Sequence, residues 1–334
     1  MPDTTRPPSP VPLPVVIDTD PGIDDMLALF LALRSPELDV RGVSTSYGNT
    51  EVEHAHRNAV EILRLAGRRM RLAVGARRPL MRPLAVARET HGESGLGYAS
   101  VPPAGVILDF VRPLDRLLAE QEDRVTLVTL GPLTSLALAL RRDPELVRAK
   151  VARHVAMVGT IGWKGNTTPL SEFNAWCDPE ALDAVLRAEL PTELVGLNVT
   201  RHMMLSVGEV ERLGRSGTAL GSWMHDALRF YTEFQRRHEK VEGCVVHDVL
   251  PIASLIRPGV VTLKEARVAV DRNDDQRRGR TREAPDGART LVATAADTAA
   301  AHALLLERVL RWAATPVHSM APVSPHAPPT GANA

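Results

Sequence analysis

An apolar run that leads into four closely spaced aspartates is the feature that most constrains the fold of this chain. Residues 15–33 read VVIDTDPGIDDMLALFLAL. The run at 15–17 predicts a buried strand, Pro21 and Gly22 predict a turn, and residues 24–33 predict an apolar helix. The aspartates are Asp18, Asp20, Asp24 and Asp25. Carboxylates this close repel one another unless a cation compensates them, and Ca²⁺ or Mg²⁺ suits a site made of oxygen ligands.

Strand-like and helix-like stretches alternate along most of the chain. Strands are predicted at 15–17, 40–45, 72–74, 125–130, 154–158, 193–197, 266–270 and 290–294, the last two as a pair. Helices are predicted at 24–33, 51–65, 113–120, 133–140, 178–188, 207–213, 220–235, 248–256 and 297–312. This order predicts an α/β fold with a mostly parallel central sheet flanked by helices, an open Rossmann-like architecture. Because ligands bind beyond the carboxyl ends of such strands, we expect Asp20, Asn49 and Gly131 to converge.

The chain is predicted to form one folded domain over residues 15–314. Residues 1–14 and 315–334 are rich in proline and predict a disordered arm and a disordered tail. The charged stretch at 272–289 predicts a solvated loop to which no function is assigned.

Composition excludes several classes of partner. The 40 basic and 40 acidic residues balance to a formal net charge of zero, so no nucleic-acid or membrane-surface partner is expected. Only Cys177 and Cys244 are present and they stand far apart, which predicts no disulfide framework and a reducing cytoplasm. The start of the chain lacks the apolar core of a signal peptide, and no segment approaches about 18 uninterrupted apolar residues, so no membrane span is expected.

A second polar segment follows the predicted strand at 154–158. Residues 163–180 read WKGNTTPLSEFNAWCDPE, and we interpret them as an irregular loop. Asn166, Glu172 and Asn174 offer the mixed donors and acceptors that sugar hydroxyls require, and Phe173 offers an apolar face. Taken alone, the segment is more consistent with a polar loop that Asp178 and Pro179 cap.

A third segment pairs His247 with Asp248 at the mouth of an apolar helix. Histidine titrates near neutral pH and is the usual general acid, and the carboxylate can bind a metal. The alternative is a helix cap at Asp248 with an incidental histidine.

The Asp-x-Asp at the first strand end also resembles the haloacid dehalogenase-type phosphatases. In that family Asp18 would be the nucleophile. The family places Thr or Val two residues after the second Asp, where this chain has Gly22, and the later segments do not match it.

Taken together, the segments resemble the nucleoside hydrolase family, specifically its inosine–uridine-preferring group and the related bacterial ribonucleoside hydrolases. The matching motifs are D-x-D-P-G-x-D-D at 18–25, Gly-Asn at 48–49, H-G-x-S-G-L at 91–96, G-P-L-T at 131–134, the G-N…E-F-N…D-P-E loop at 165–180 and His-Asp at 247–248. They occur in family order between about residues 15 and 312. Six ordered motifs are far more specific than any single one.

The resemblance implies Ca²⁺-dependent hydrolysis of the N-glycosidic bond of ribonucleosides to ribose and free nucleobase. It implies metal ligands in the carboxylates of Asp20, Asp25 and Asp248 and in the backbone carbonyl of Leu130. It implies ribose contacts from Asp24, Asn49, Asn166, Glu172, Asn174 and Asp248, beside Phe173. Asp20 would take the proton of a metal-activated water, His247 would protonate the departing base, and His91, on a mobile loop at the mouth, would assist with pyrimidines.

Some positions depart from the family pattern. The turn at 159–162 is bulkier than the family's glycine run, and a methionine common in the pocket corresponds to Val158. The helix at 220–235 carries aromatic residues that could stack on a base, although we interpret Trp223 as ordinary packing. The presence of His247, where the purine-specific group has tryptophan, favours the inosine–uridine group.

Two other functions stay open at this point: a nucleoside- or ribose-binding module without turnover, and a hydrolase for a modified nucleoside, which the altered turn would favour. The resemblance further implies a homodimer or homotetramer. The preferred nucleobase is left open.

Overall fold

The computed structural model describes residues 11–102, 113–273 and 275–316. Most of the predicted arm and tail therefore lies outside the described residues. The strands are β1 (Leu13–Thr19), β2 (Leu38–Thr45), β3 (Arg71–Val74), β4 (Val125–Thr129), β5 (Val151–Ala156), β6 (Thr192–Leu194), β7 (Met204–Leu205), β8 (Cys244–Val245), β9 (Val261–Val270), β10 (Thr281–Glu283) and β11 (Ala288–Ala296). The helices are α1 (Ile23–Leu33), α2 (Val52–Leu65), α3 (Arg88–His91), α4 (Leu114–Ala119), α5 (Thr134–Arg142), α6 (Pro144–Lys150), α7 (Phe173–Cys177), α8 (Pro179–Leu186), α9 (Leu197–Thr200), α10 (Val207–Gly214), α11 (Ala219–His238), α12 (Val249–Ile256), α13 (Thr298–Leu305) and α14 (Arg311–Ala313).

One large sheet organises the molecule, with the strand order β10-β9-β11-β6-β5-β4-β1-β2-β3. The strands from β11 to β3 in that order are parallel to their neighbours. Strand β9 is antiparallel to both β10 and β11. The predicted mostly parallel α/β sheet is confirmed, as is the pairing of the two late strands. The order of the strands reverses at β1, because β2 and β3 lie on one side of it and β4, β5 and β6 on the other. Ligands bind at such a switch point in open sheets of this kind.

Helices cover both faces of the sheet, so the central strands are buried on both sides. Val15 and Ile17 of β1 pack into the core under α1, α11 and α12. Val16, between them, packs into the core under α4, α5 and α8. This alternation explains why β1 is an uninterrupted apolar run. Every residue of α1 is buried, as expected for a helix that is apolar all round.

Several element ends and short elements differ from the predictions. Strand β1 begins at Leu13, inside the predicted arm, because the Leu13 N–H donates to the Glu37 carbonyl at 2.8 Å. The segment predicted as an irregular loop contains α7, which Glu172 caps by accepting from the Asn174 and Ala175 N–H groups. The charged stretch at 272–289 contains β10, a strand that lacks apolar alternation and forms by pairing with β9.

The last predicted helix, at 297–312, is confirmed but is interrupted by a π-helical turn, Leu306–Leu310. Short helices α3, α6 and α9 were not predicted, since four to seven residues carry little periodic signal. Cys177 and Cys244 are buried and free. Within the described ranges, none of the helices combines the length and apolar character that crossing a membrane requires.

Candidate active site

The carboxyl ends of β1, β2 and β4 meet at the point where the strand order reverses. Asp20 follows β1, Asn49 follows β2 and Leu130 follows β4. The Asn49 N–H donates to Asp20 Oδ2 at 2.7 Å, and the Leu130 N–H donates to the Asp18 carbonyl at 2.9 Å. A Cβ atom placed on Gly131 would lie 2.4 Å from Asp20 Oδ1. The predicted convergence of Asp20, Asn49 and Gly131 is therefore confirmed.

Asp20 is almost fully buried, with 1% of its surface exposed. Among the described residues, no group hydrogen bonds to its Oδ1 atom. A Cβ atom on Gly131 would collide with Asp20 Oδ1, and one on Gly48 would collide with Asp20 Oδ2. Glycine at both positions therefore lets the backbone lie directly against this carboxylate. Burial, together with the charge of Asp25, raises the pKa of Asp20 well above its ordinary value.

Three further carboxylates form a tight buried cluster beside Asp20. One oxygen from each of Asp24, Asp25 and Asp248 lies within 4.8 Å of the others. Burial, with the charge of Asp25, raises the pKa of Asp24 to about 7. Burial and the neighbouring carboxylates also raise the pKa of Asp248. Burial disfavours the ionised form of each carboxylate, and the negative charges of the neighbouring carboxylates disfavour it further.

Both oxygens of Asp25 are held by hydrogen bonds. Asp25 Oδ1 accepts from Thr19 Oγ1 at 2.5 Å. Asp25 Oδ2 accepts from the Gly22 N–H at 3.0 Å and from Asn49 Nδ2 at 2.7 Å. Asn49 thus connects Asp25 to Asp20 and fixes their separation.

The donor set fits a hard cation. The carboxylates of the site offer oxygen, and Asp20 Oδ1, which accepts no hydrogen bond from the residues that the structure describes, is the kind of buried acceptor that a cation would satisfy. Asp24, which was predicted to contact ribose only, belongs to the tight carboxylate cluster, whereas Asp20 lies beside it. The Leu130 carbonyl accepts from Asn174 Nδ2 at 2.7 Å, and its second lone pair remains for another partner.

A cavity of about 120 Å³ opens above the carboxylates. It brings together ten of the predicted site residues from distant parts of the chain. These are Asp24, Asn49, His91, Leu130, Asn166, Glu172, Phe173, Asn174, His247 and Asp248. Asp20 and Asp25 do not line the cavity within the described part of the chain and lie beneath it. The site therefore has a polar, acidic floor and mixed walls.

Glu172 braces the cavity wall. Its Oε1 accepts from the Asn174 N–H at 2.7 Å, and its Oε2 accepts from the Gly159 N–H at 2.8 Å and the Ala175 N–H at 2.9 Å. Burial raises its pKa to about 7. A carboxylate has about four acceptor positions, so Glu172 can hold the backbone and still accept from a ligand hydroxyl.

The two histidines of the cavity are both buried. His247 Nδ1 lies 2.9 Å from Thr200 Oγ1, and burial, with the charge of Arg201, lowers its pKa to about 4. His91 Nδ1 accepts from the Ile23 N–H at 3.1 Å, and burial, with His247, lowers its pKa to about 3. The expectation of a loop position for His91 was wrong, because it ends helix α3 and only 4% of it is exposed.

Several cavity residues were not predicted as site residues: Ala87, Thr90, Met157, Thr167, Tyr231, Phe234 and Glu239. The assignment of a pocket methionine to Val158 was one residue out of register, since Met157 lines the cavity and Val158 is buried in the core. Tyr231 and Phe234 lie three residues apart on α11, a helical spacing visible in the sequence. Trp223 packs edge-on against Phe30 and donates to the Ser100 carbonyl, so the packing interpretation is confirmed.

Asp18 lies outside this cavity as far as the structure describes its walls. It is buried beside Ser44 and Ser135, and burial raises its pKa to about 7. Asp18 therefore cannot meet a substrate in the cavity, which rules out the phosphatase-like nucleophile. The Asp248 side chain makes no capping hydrogen bond to α12 within the described residues, so helix capping does not explain it.

Comparisons with known proteins agree with this geometry. The sequence model of the inosine-uridine preferring nucleoside hydrolase family matches residues 15–303. The pyrimidine-specific ribonucleoside hydrolase RihA of Salmonella paratyphi A is 38% identical over 274 residues, which cover 80% of this chain and 88% of that protein. RihA of Escherichia coli O81 gives the same identity and coverage.

Solved structures give the same result. A plant nucleoside hydrolase superimposes with a TM-score of 0.81 at 32% identity, covering 89% of this chain and 99% of the other. A purine-preferring ribonucleoside hydrolase from Gardnerella vaginalis has a TM-score of 0.81 at 27% identity, with coverage of 90% and 99%. The chain therefore belongs to the inosine-uridine preferring nucleoside hydrolase family, and it is a ribonucleoside hydrolase.

Proposed function

We propose that this cavity hydrolyses the N-glycosidic bond of ribonucleosides in a Ca²⁺-dependent reaction that releases ribose and the free nucleobase. The observation that carries the proposal is the union, in one cavity, of a buried carboxylate cluster, several amide side chains and a buried histidine. The ligands proposed for the cation are Asp20, Asp25, Asp248 and the Leu130 carbonyl, and Asp24 joins them on the grounds of its distance. A bound cation would lower the pKa of a water and orient it toward the sugar.

Asp20 is proposed as the base. Its Oδ2 is occupied by the Asn49 N–H, while Oδ1 is free of hydrogen bonds from the described residues and can take a proton. Asp24, Asn49, Asn166, Glu172, Asn174 and Asp248, beside Phe173, are proposed to bind the ribose. Their oxygens would stabilise the positive charge that develops on the ribosyl ring. Water attacking from the carboxylate side predicts a single displacement with inversion.

His247 is proposed to assist the departing nucleobase. Burial keeps its imidazole neutral near pH 7. When the Thr200 hydroxyl donates to Nδ1, the ring hydrogen sits on Nε2 and can donate a hydrogen bond to a base that gains negative charge. His91 is proposed as a secondary contact for pyrimidine leaving groups, through its place on the cavity wall.

We further propose a preference for pyrimidine ribonucleosides. The support is the identity of 38% to proteins described as pyrimidine-specific ribonucleoside hydrolases. Tyr231 and Phe234 supply aromatic surface at the cavity that could face a base. A homodimer or homotetramer and a cytoplasmic location are further proposals from the family resemblance, and light scattering after gel filtration would test the first of them.

The decisive experiment incubates the purified protein with uridine, cytidine, inosine, adenosine and guanosine in Ca²⁺, and quantifies free ribose and base. We expect uridine and cytidine to be cleaved fastest. Asp20→Ala should lower kcat by about two to four orders of magnitude, the usual contribution of a general base. Asp39→Ala, at an exposed position on β2, is the matched control and should retain activity.

Two outcomes would overturn parts of the proposal. Unchanged uridine cleavage in Asp20→Ala would remove the assigned base. If the wild-type protein binds ribose or nucleosides but releases no base, the result would instead support a binding module without turnover. Cleavage confined to modified nucleosides would support a hydrolase for a modified nucleoside.

A further inference from the structure

A hairpin from the far edge of the sheet reaches the cavity wall. Strands β9 and β10 are connected by residues 271–280, and this connection contacts the segment 159–177, called here the wall segment. The wall segment carries Asn166, Glu172, Phe173 and Asn174, all of which line the cavity. The hairpin itself has no residue on the cavity wall within the described part of the chain.

Arg278 holds the end of the wall segment. Its Nε donates to the Trp176 carbonyl at 2.8 Å, and its Nη2 donates to the Cys177 carbonyl at 3.1 Å. Its guanidinium also lies 4.0 Å from the centre of the Trp176 ring. These are carbonyls at the end of α7, which an arginine can satisfy from outside the helix.

The hairpin backbone fits against the same segment. The Arg278 carbonyl accepts from Ser171 Oγ at 2.5 Å. Gly279 has φ +75°, and a Cβ atom there would lie 2.5 Å from Trp176 Cα and 2.6 Å from the Ala175 carbonyl oxygen. Glycine is thus required twice at this position, for the backbone conformation and for the close approach to α7.

Thr281, at the start of β10, holds the start of the wall segment. Thr281 Oγ1 accepts from the Thr160 N–H at 2.8 Å and donates to the Thr160 carbonyl at 2.9 Å. The neighbouring Gly159 N–H donates to Glu172 Oε2 at 2.8 Å. Residues 278–281 therefore contact the wall segment at both of its ends.

We propose that residues 278–281 are a positioning clamp for the ribose-binding side chains, with Arg278 as its principal positioning residue. The inference rests on the proposed ribose-binding role of the wall segment and adds to it the group that fixes the segment in place. The segment needs such a clamp because α7 has five residues, and helices much shorter than about 12 residues do not hold their conformation alone.

The clamp should act on substrate binding more than on bond cleavage. Arg278 contacts Trp176 and Cys177, and its described contacts do not include Asp20 or His247. Loss of a positioning contact at the ribose wall weakens binding in the ground state and the transition state together, which raises KM. We expect Arg278→Ala to raise the KM for uridine about tenfold, the effect of losing hydrogen bonds to a charged donor, with a smaller change in kcat.

The experiment compares Arg278→Ala and Arg278→Lys with Arg289→Ala, a control that removes an exposed arginine from β11. KM and kcat are measured for each, with and without guanidinium ion at a concentration far below that which unfolds the protein. Arg289→Ala should match the wild type. Guanidinium should lower the KM of Arg278→Ala, and methylammonium should not, because only the planar ion can donate to both carbonyls.

A second readout separates this inference from the proposed function. Hydrogen exchange followed by mass spectrometry, without substrate, should show faster exchange over residues 159–177 in Arg278→Ala and unchanged exchange around β1 and β2. Unchanged exchange in the wall segment would overturn the clamp even if uridine is hydrolysed. A fall in kcat with unchanged KM would also contradict the clamp. A rise in KM that guanidinium does not reverse would do the same. If the wild-type protein cleaves no nucleoside, the proposed function fails and the exchange result still decides the clamp.

Discussion

Asn174 donates its side-chain Nδ2 hydrogen to the backbone carbonyl of Leu130 at 2.7 Å. The same Nδ2 also donates to the Met157 carbonyl at 3.0 Å. A side chain proposed to bind ribose is therefore oriented by the carbonyl proposed to bind the cation. The wall of the cavity and its floor are connected through this amide.

Replacing Asn174 should weaken substrate binding more than cation binding. Asn174→Ala leaves the Leu130 carbonyl in place and removes one sugar contact, so the KM for uridine should rise about tenfold. The Ca²⁺ concentration that gives half-maximal thermal stabilisation should change much less. Steady-state kinetics measure the change in KM, and Tm measured at increasing Ca²⁺ concentration measures the change in Ca²⁺ affinity. Asn198→Ala, which loses a comparable bond to the Ala293 carbonyl outside the cavity, is the control, and a parallel loss of Ca²⁺ affinity in Asn174→Ala would contradict the expectation.

The bond between Thr200 and His247 should matter only when the leaving base needs a proton. Thr200→Val removes the hydroxyl that lies 2.9 Å from His247 Nδ1 while keeping the side-chain shape. We expect kcat for uridine to fall about tenfold, and Thr200→Ser to restore it. This loss is smaller than the contribution of about two to four orders of magnitude from a positioned acid, because the imidazole itself stays in place. Cleavage of 4-nitrophenyl β-riboside, whose leaving group departs without a proton, should change little. An equal fall in kcat on both substrates would contradict the proposal that His247 assists the departing base.

Removing the cation should destabilise the protein as well as inactivate it. Ca²⁺ at one hundred times its Kd adds about 2.7 kcal/mol to the free energy of unfolding, so a chelator should lower Tm and Ca²⁺ should restore it. In chelator, Asp248→Asn should melt above the wild type, because one carboxylate of the buried cluster is neutralised. The same variant should gain little Tm from Ca²⁺. Asp123→Asn, at an exposed position, should behave as the wild type, and a wild-type Tm that ignores both chelator and Ca²⁺ would contradict a metal site.

His154 should make the protein less stable in acid. It is buried in β5 between Thr129 and Thr192, and burial lowers its pKa to about 3. Because the unfolded state then binds more protons below the ordinary pKa of about 6.5, stability falls as the pH drops from 6.5 towards 3. The contribution is about 2 kcal/mol by pH 5 and about 4 kcal/mol at pH 3.

Urea unfolding at several pH values between 7.5 and 5 measures this effect. His154→Gln should show a shallower loss of stability with falling pH than the wild type, whatever its stability at pH 7.5. His202→Gln replaces an exposed histidine and should keep the wild-type slope. Equal slopes in the wild type and His154→Gln would show that other groups cause the acid sensitivity.

The sequence alone determined the architecture and the family. Strand-like runs such as 15–17 and 125–130 alternate with stretches of helical periodicity. This is sufficient to predict a mostly parallel sheet because periodicity is a local property. The rule that ligands bind beyond strand ends then predicted that Asp20 and Asn49 meet. Ordered motifs from Asp18 to Asp248 predicted the nucleoside hydrolase family before any geometry was known.

Tertiary structure alone decided how those residues divide the site between them. Whether Asp24 or Asp20 belongs to the tightest carboxylate group depends on side-chain directions after a turn, which spacing does not specify. The prediction of a solvated loop at 272–289 was wrong in part, because β10 forms there and Arg278 finds its carbonyl partners about a hundred residues earlier in the chain. Contacts of that range arise only when the sheet brings distant segments together. The sequence thus determined which groups exist and at which edge they meet, and the packed fold decided what each one touches.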